Sequence, residues 1–328
     1  MKFKFPKILL LLLLLLLGGG GFFASKIGII DLDLLFCARS SFQYINKELA
    51  CGGSLVVKKH AYAELKTKLE DFIQSKTNEK EVSEVSVYFR DLENGPTLGI
   101  NEHANFAPAS LLKVPLSLAY IGLSENEEPK LLQKKIHYIK SQRITEPLIP
   151  PANLIEENKT YSINELLERM IMYSDNRAYN LLLQFLNDNY PSSLQDTLES
   201  LGLIDPQNAL EETLTVKSYA SIFIQLYNAS FLREKATSES VLALLSKTVF
   251  DKGITPGVPA GTKVAHKFGE RASSNSQIKQ LHDCGIVYYP KNPYLLCIMT
   301  RGQDFEKLSD IISAISKMVY EEFNYRKI

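Results

Sequence analysis

Apolar residues recur along this chain in two periods, and the switches between them divide it into elements. Tyr62, Leu65, Leu69, Phe72 and Ile73 fall at helical spacing and predict an amphipathic helix over about residues 58–76. Val85-Ser86-Val87-Tyr88-Phe89 alternates as a strand, Asn94-Gly95-Pro96 turns it, and residues 97–100 return as a second strand. An apolar run (Leu111, Leu112, Val114, Leu116, Leu118, Ala119, Ile121) then predicts a buried helix starting at Ser110. Pro108 stands just outside it, and Pro115 falls early enough to be tolerated.

Residues 124 to about 215 carry little strand signal and several helical ones. Ile163, Leu166, Leu167, Met170 and Ile171 form one stripe, with Ser162 as cap and Glu165 completing a capping box. Leu181, Leu182, Phe185 and Leu186 form another, and further helices are expected over 216–228 and 238–247. Strand character returns over 263–268, 278–289 and 294–300. A last helix, 305–323, carries Leu308, Ile311, Ile312, Ile315 and Val319 on one face. Two strands, a helical block, three strands and a terminal helix predict a single α+β unit of two lobes, whose sheet is completed by both ends of the chain.

The N-terminus has a different pattern. Lys2, Lys4 and Lys7 precede an unbroken apolar run over 8–17, then four glycines and Phe22-Phe23-Ala24. A basic stretch followed by an apolar one is a membrane address, either a cleaved signal peptide or a retained signal anchor over about 1–26. Both place the body outside the cytoplasm. Residues 27–57 read as a membrane-proximal connector, and 58–328 as the folded domain, with a helical lobe over about 124–215.

Composition narrows the partners. The 37 basic and 37 acidic residues cancel, and both signs are spread along the chain, so nothing favours nucleic acid. The expected partner is a small molecule or a peptide-like substrate. Four cysteines are too few for a disulfide scaffold. Cys37 and Cys51 are able to pair in an oxidising space, whereas Cys284 and Cys297, on two apolar runs joined by a turn, read as buried free thiols. No Cys/His spacing suggests a metal, and no cofactor is expected.

Candidate chemistry centres on Ser110-Leu111-Leu112-Lys113, since residues three apart share one face of a helix. A serine hydroxyl needs a base, and a desolvated lysine can serve as one. The motif alone is weak: it also describes an N-cap serine, and a second copy occurs at Ser276-Gln-Ile-Lys279. Ser174-Asp175-Asn176 between two helical stripes and Lys267-Phe268-Gly269 in a strand have structural explanations too, as caps and as an edge-strand lysine with a glycine.

In this order, however, the three resemble the motifs of the penicillin-recognising serine hydrolases, in particular the class A β-lactamase-like branch: Ser-x-x-Lys, Ser-Asp-Asn, Lys-[Thr/Ser]-Gly. The resemblance covers roughly 58–328 and implies a β-lactamase/transpeptidase-like fold, an antiparallel sheet flanked by helices with an all-α lobe. It further implies Ser110 as the acylated nucleophile and Lys113 as its base. Ser174 would relay a proton to the leaving nitrogen, tuned by Lys267, and Asn176 would bind the substrate amide. Asp175 would brace the structure. Backbone N–H groups of Ser110 and Glu270, the latter just past Gly269, would form the oxyanion hole.

Two positions depart from the pattern. Phe268 lacks the hydroxyl that helps hold the substrate carboxylate, and either Arg271 or Lys267 is available to substitute. The stretch 202–212 is short and lacks the Glu-x-x-Leu-Asn that positions a deacylating base, leaving Asp205, Glu211 and Glu212 as candidates by chemistry alone. The leading expectation is an extracytoplasmic serine hydrolase acting on a β-lactam or related amide. The alternatives are a D-alanyl-D-alanine carboxypeptidase-like enzyme and an inactive membrane-tethered binding module. A Ser-His-Asp hydrolase using His282-Asp283 is a weaker rival, because no Gly-x-Ser-x-Gly elbow exists.

Overall fold

The computed structural model describes residues 42–46, 62–93, 95–139, 153–204, 213–272, 277–290 and 292–326. Those of 44–46 and of 62 onward belong to one compact unit. The leader at 1–26, Cys37, Cys51, Ser276, Asp205, Glu211 and Glu212 all lie outside the described residues. Among the described residues no helix is long and apolar enough to cross a membrane.

Helix α1 (Ala63–Asn78) leads into strands β1 (Glu84–Asp91) and β2 (Thr97–Ile100). After the short β3 (Asn105–Phe106), a 3-10 turn (Ala109–Leu112) opens α2 (Lys113–Asn126). Short strands β4 (Lys135–His137) and β5 (Thr160–Ser162) precede α3 (Ile163–Met172), α4 (Asn176–Asn189) and α5 (Ser193–Ser200). The chain continues through β6 (Leu214–Thr215), α6 (Val216–Tyr227) and α7 (Lys235–Leu245). Strands β7 (Val264–Ala272), β8 (Lys279–Val287) and β9 (Tyr294–Gly302) follow, and α8 (Phe305–Arg326) closes it.

The main sheet has the order β2-β1-β9-β8-β7, antiparallel throughout, so both ends of the chain do complete it. Its central strands β1, β9 and β8 are largely buried on both faces rather than on one. Val85, Val87 and Phe89 of β1 join Leu296 and Ile298 of β9 in a core with Leu65 and Leu69 of α1 and Ile311, Ile312 and Ile315 of α8. Helix α6 covers the other face, against β1, β8 and β9. A second core fills the helical lobe, where Leu116 and Tyr120 of α2 meet Leu166 and Met170 of α3 and Leu182 and Leu186 of α4. Two small pairings, β4 with β5 and β3 with β6, were not legible as strands.

Several expectations are corrected. The first described helix runs from Ala63, with Tyr62 just before it. The helix expected at Ser110 begins as a 3-10 turn and becomes α-helical only at Lys113. Pro108 and Pro115 each lack an N–H, and Ala109 holds a left-handed φ of 49°, so a continuous α-helix cannot start there. Cys284 and Cys297 stand opposite each other in the register of β8 and β9 and are joined as a disulfide, not left as free thiols. Tyr44–Asn46, inside the expected connector, are packed on the body. The backbone N–H groups of Tyr44 and Ile45 donate to the Glu239 carboxylate of α7 at 2.8 and 2.9 Å, and Ile45 is buried.

Candidate active site

The site lies where the edge strand β7 passes the turn that opens α2 and the loop that opens α4. Gly269 makes the first approach possible: a Cβ there would stand 3.0 Å from the Leu111 side chain and from the Pro108 carbonyl. The register of β7 on β8 runs unbroken, with Gly269 opposite His282, so this glycine marks a close contact and not a bulge.

The second approach rests on Asp175. As N-cap of α4 it accepts from the backbone N–H groups of Arg177 and Ala178 at 2.7 and 3.2 Å, and also from Ile155 N at 2.7 Å. Fully buried, it touches no part of the cleft. Its neighbour Ser174 takes a left-handed φ of 55°, a conformation that costs a non-glycine residue about 1 kcal/mol or more. That conformation turns both the carbonyl and the hydroxyl of Ser174 towards Lys113.

Lys113 is buried, and its Nζ lies 3.0 Å from Ser110 Oγ, 3.0 Å from Ser174 Oγ, 2.6 Å from the Ser174 carbonyl and 2.6 Å from Asn176 Oδ1. An ammonium has three N–H bonds for these four oxygens. The two carbonyl-type oxygens can only accept. A neutral amine would donate to both and accept a proton bond from a serine hydroxyl. Burial pushes the Lys113 pKa down to about 7, against the opposing charges of Asp175 and Glu270. Near neutrality this nitrogen is therefore able to take a proton from Ser110.

Lys267 is completely buried and donates to Ser174 Oγ and to the Phe268 carbonyl, each at 3.0 Å. Ser174 Oγ thus bridges the two lysines. Burial, and then the charge of Lys113, hold Lys267 well below the ordinary lysine range. The arrangement sets the Ser110 hydroxyl against a buried amine, and a second hydroxyl between two amines.

Ser110, Lys113 and Asn176 open onto a cleft of about 310 Å³, lined also by Glu270 and Arg271, together with Tyr179 and Asn180. The last two escaped the sequence reading, although they follow Asn176 by one helical turn, a spacing that places them on its face. Phe268 does not line the cleft. Its ring is buried and stacks on Phe250, with centroids 3.9 Å apart. The hydroxyl is missing, but the ring does not obstruct the site.

His282 and Asp283 do not join Ser110. As successive strand residues they point apart. His282 Nε2 lies 3.0 Å from the Ala107 carbonyl, whereas Asp283 pairs with His266 Nδ1 at 2.8 Å and accepts from Ile254 N at 2.9 Å.

Known proteins share this framework. A "Beta-lactamase" of Bacteroides uniformis is 24% identical over 283 residues, covering 79% of this chain and 92% of its own length. The "Extended-spectrum beta-lactamase PER-1" of Pseudomonas aeruginosa is 24% identical over 70% of this chain and 79% of its own. Among solved structures, the TLA-3 extended-spectrum beta-lactamase superposes with a TM-score of 0.67 at 20% identity, over 80% of this chain and 99% of that one. A PBP-A mutant in an acyl-enzyme complex with penicillin G gives 0.63 at 21%, over 80% and 97%. These structures share the fold. The model of the Beta-lactamase enzyme family matches residues 64–323, the span that holds both cores except Tyr62, all five strands of the main sheet and every residue of the cleft. On that match the chain belongs to the Beta-lactamase enzyme family.

Proposed function

We propose that this protein is an extracytoplasmic serine hydrolase that works through an acyl-enzyme on a β-lactam or a related amide. The observation that carries the reading is Lys113 Nζ at 3.0 Å from Ser110 Oγ, buried and poised near neutrality. Lys113 takes the proton as Ser110 attacks the carbonyl carbon. Ser174, held between Lys113 and Lys267, returns a proton to the departing nitrogen. Backbone N–H groups of Ser110 and Glu270 receive the oxyanion, and Asn176 orients the substrate amide. The PBP-A mutant of the same fold, solved as its acyl-enzyme with penicillin G, supports the choice of reaction.

The basic and apolar leader supports a place outside the cytoplasm, as a secreted or membrane-anchored body over about 58–328. The Cys284–Cys297 disulfide fits an oxidising compartment. A carboxypeptidase-like action on cell-wall peptides is the second reading, favoured by the short 202–212 stretch without a Glu-x-x-Leu-Asn base.

Intact-protein mass spectrometry of the full chain exposed to a penicillin, with Ser110→Ala as control, tests both. An adduct that forms and clears supports β-lactam hydrolysis. One that persists supports the cell-wall reading. Equal labelling of wild type and Ser110→Ala would sink both.

A further inference from the structure

Proton transfer from Ser110 to Lys113 would leave two buried ammonium groups, each 3.0 Å from Ser174 Oγ. Lys267 on β7 opposes the new charge, whereas Asp175 and Glu270 favour it. Asp175 is already committed to the backbone N–H groups of Ile155, Arg177 and Ala178, and Glu270 acts on both lysines at once. Arg271 lines the same cleft but is exposed, so solvent screens it. The four oxygens within hydrogen-bond reach of Lys113 Nζ carry no charge.

One further group faces this nitrogen. Tyr179 follows Asn176 by three residues, so one side of α4 delivers both to Lys113 Nζ: Asn176 Oδ1 at 2.6 Å, and the Tyr179 ring with its centroid 5.8 Å away. An aromatic face attracts a cation through its quadrupole, more strongly where water is excluded. Unlike a carboxylate, it has no lone pair to take the proton, so it steadies the ammonium without competing with Ser174. Lys267 rests on a ring in the same way, 4.2 Å from the Phe268 centroid. The Tyr179 hydroxyl makes no hydrogen bond to a described residue, and burial raises its pKa above the ordinary tyrosine value. The ring therefore stays neutral while Lys113 titrates. We infer that Tyr179 is a positioning residue for acylation, whose ring holds the positive charge that Lys113 gains when Ser110 gives up its proton. This role rests on Lys113 being the base for Ser110, and it adds a residue that lies outside the three motifs.

The pH profile of acylation separates this role from a merely structural one. The rate of adduct formation at Ser110 with penicillin G would be followed by mass spectrometry on the full chain from about pH 5 to 9. Tyr179→Phe keeps the ring face, whereas Tyr179→Leu and Tyr179→Met remove it and stay apolar; each is checked for a wild-type melting temperature. Wild type and Tyr179→Phe are expected to share an inflection at about 7. Loss of the ring moves it towards acid by about half a unit to one unit, because an ammonium without that partner releases its proton more readily. An inflection unmoved in Tyr179→Leu and Tyr179→Met, or displaced equally in Tyr179→Phe, overturns the role of the ring and leaves Ser110 and Lys113 standing. If wild type forms no adduct, or its rate shows no inflection, Lys113 is not the base for Ser110, and both proposals fall together.

Discussion

The Tyr219 hydroxyl of α6 donates to the Leu111 carbonyl at 3.0 Å, in the place of a helix hydrogen bond that Pro115 cannot make. Four residues after Leu111 a helix would supply an N–H, and here a proline stands. The buried phenol takes that role and ties the turn bearing Ser110 to the helix that covers the sheet. Tyr219→Phe should cost about 1 kcal/mol in urea unfolding, the usual net worth of one hydrogen bond, since the Leu111 carbonyl still accepts from the Lys113 N–H. With Pro115→Ala, which restores an N–H, the loss should be smaller than the sum of the two single changes. Strict additivity would show that the two groups do not serve one carbonyl.

Gly269→Ala puts a methyl 3.0 Å from Leu111 and the Pro108 carbonyl. Strand β7 and the Ser110 turn must then separate by a few tenths of an ångström. The expected cost is about 1–3 kcal/mol of stability, with acylation by a penicillin slowed at least tenfold. Adduct formation timed by mass spectrometry checks this. An unchanged rate would mean that the spacing of β7 from Ser110 is not critical.

Acylation should rise with pH through about 7 and then level, because the base form of Lys113 appears there. Stability carries the same signature. Folded Lys113 titrates at about 7 and the unfolded side chain at the ordinary lysine value of 10.5, so between these values the unfolded chain binds more protons and stability rises with pH. Below 7 the full cost is present. The stability advantage of Lys113→Met over wild type should therefore narrow by up to roughly 4 kcal/mol between pH 7 and 10.5. Denaturant titrations across that window that give a constant difference would refute a buried neutral lysine.

His282 predicts acid lability. Burial pushes its pKa down to about 4, and its hydrogen bond to Ala107 only partly opposes this. The unfolded histidine binds its proton near 6.5, so stability is complete above that pH and is lost as the pH falls towards 4. The loss should reach roughly 3 kcal/mol. His282→Gln, which keeps a donor for Ala107 but does not titrate, should flatten this limb of the pH–stability curve. A limb unchanged in the variant would assign the lability to other groups.

Much of the framework was legible because its causes are local. The capping box of Ser162 and Glu165 stands as read, with Glu165 N donating to Ser162 Oγ at 3.2 Å. The stripe from Ile163 to Ile171 is buried as its period requires. Ser110, Lys113, Ser174, Asn176 and Lys267 meet because two of the motifs sit at helix starts and the third lies along the edge strand β7. What escaped depends on distant partners. The outward or inward turn of Phe268 is decided by Phe250, and the pairing of Cys284 by the register of β9.

The docking of Tyr44–Asn46 bears on how this protein should be produced. Asn46 N donates to the Tyr227 carbonyl at 2.6 Å, and the Tyr288 hydroxyl donates to the Tyr44 carbonyl at 3.0 Å. A recombinant body started at residue 58, the boundary that periodicity suggests, would discard these bonds, remove two donors from Glu239 and uncover the seat of Ile45. Expression should begin upstream of Tyr44, so that the enzyme under assay keeps the strap with which it folds.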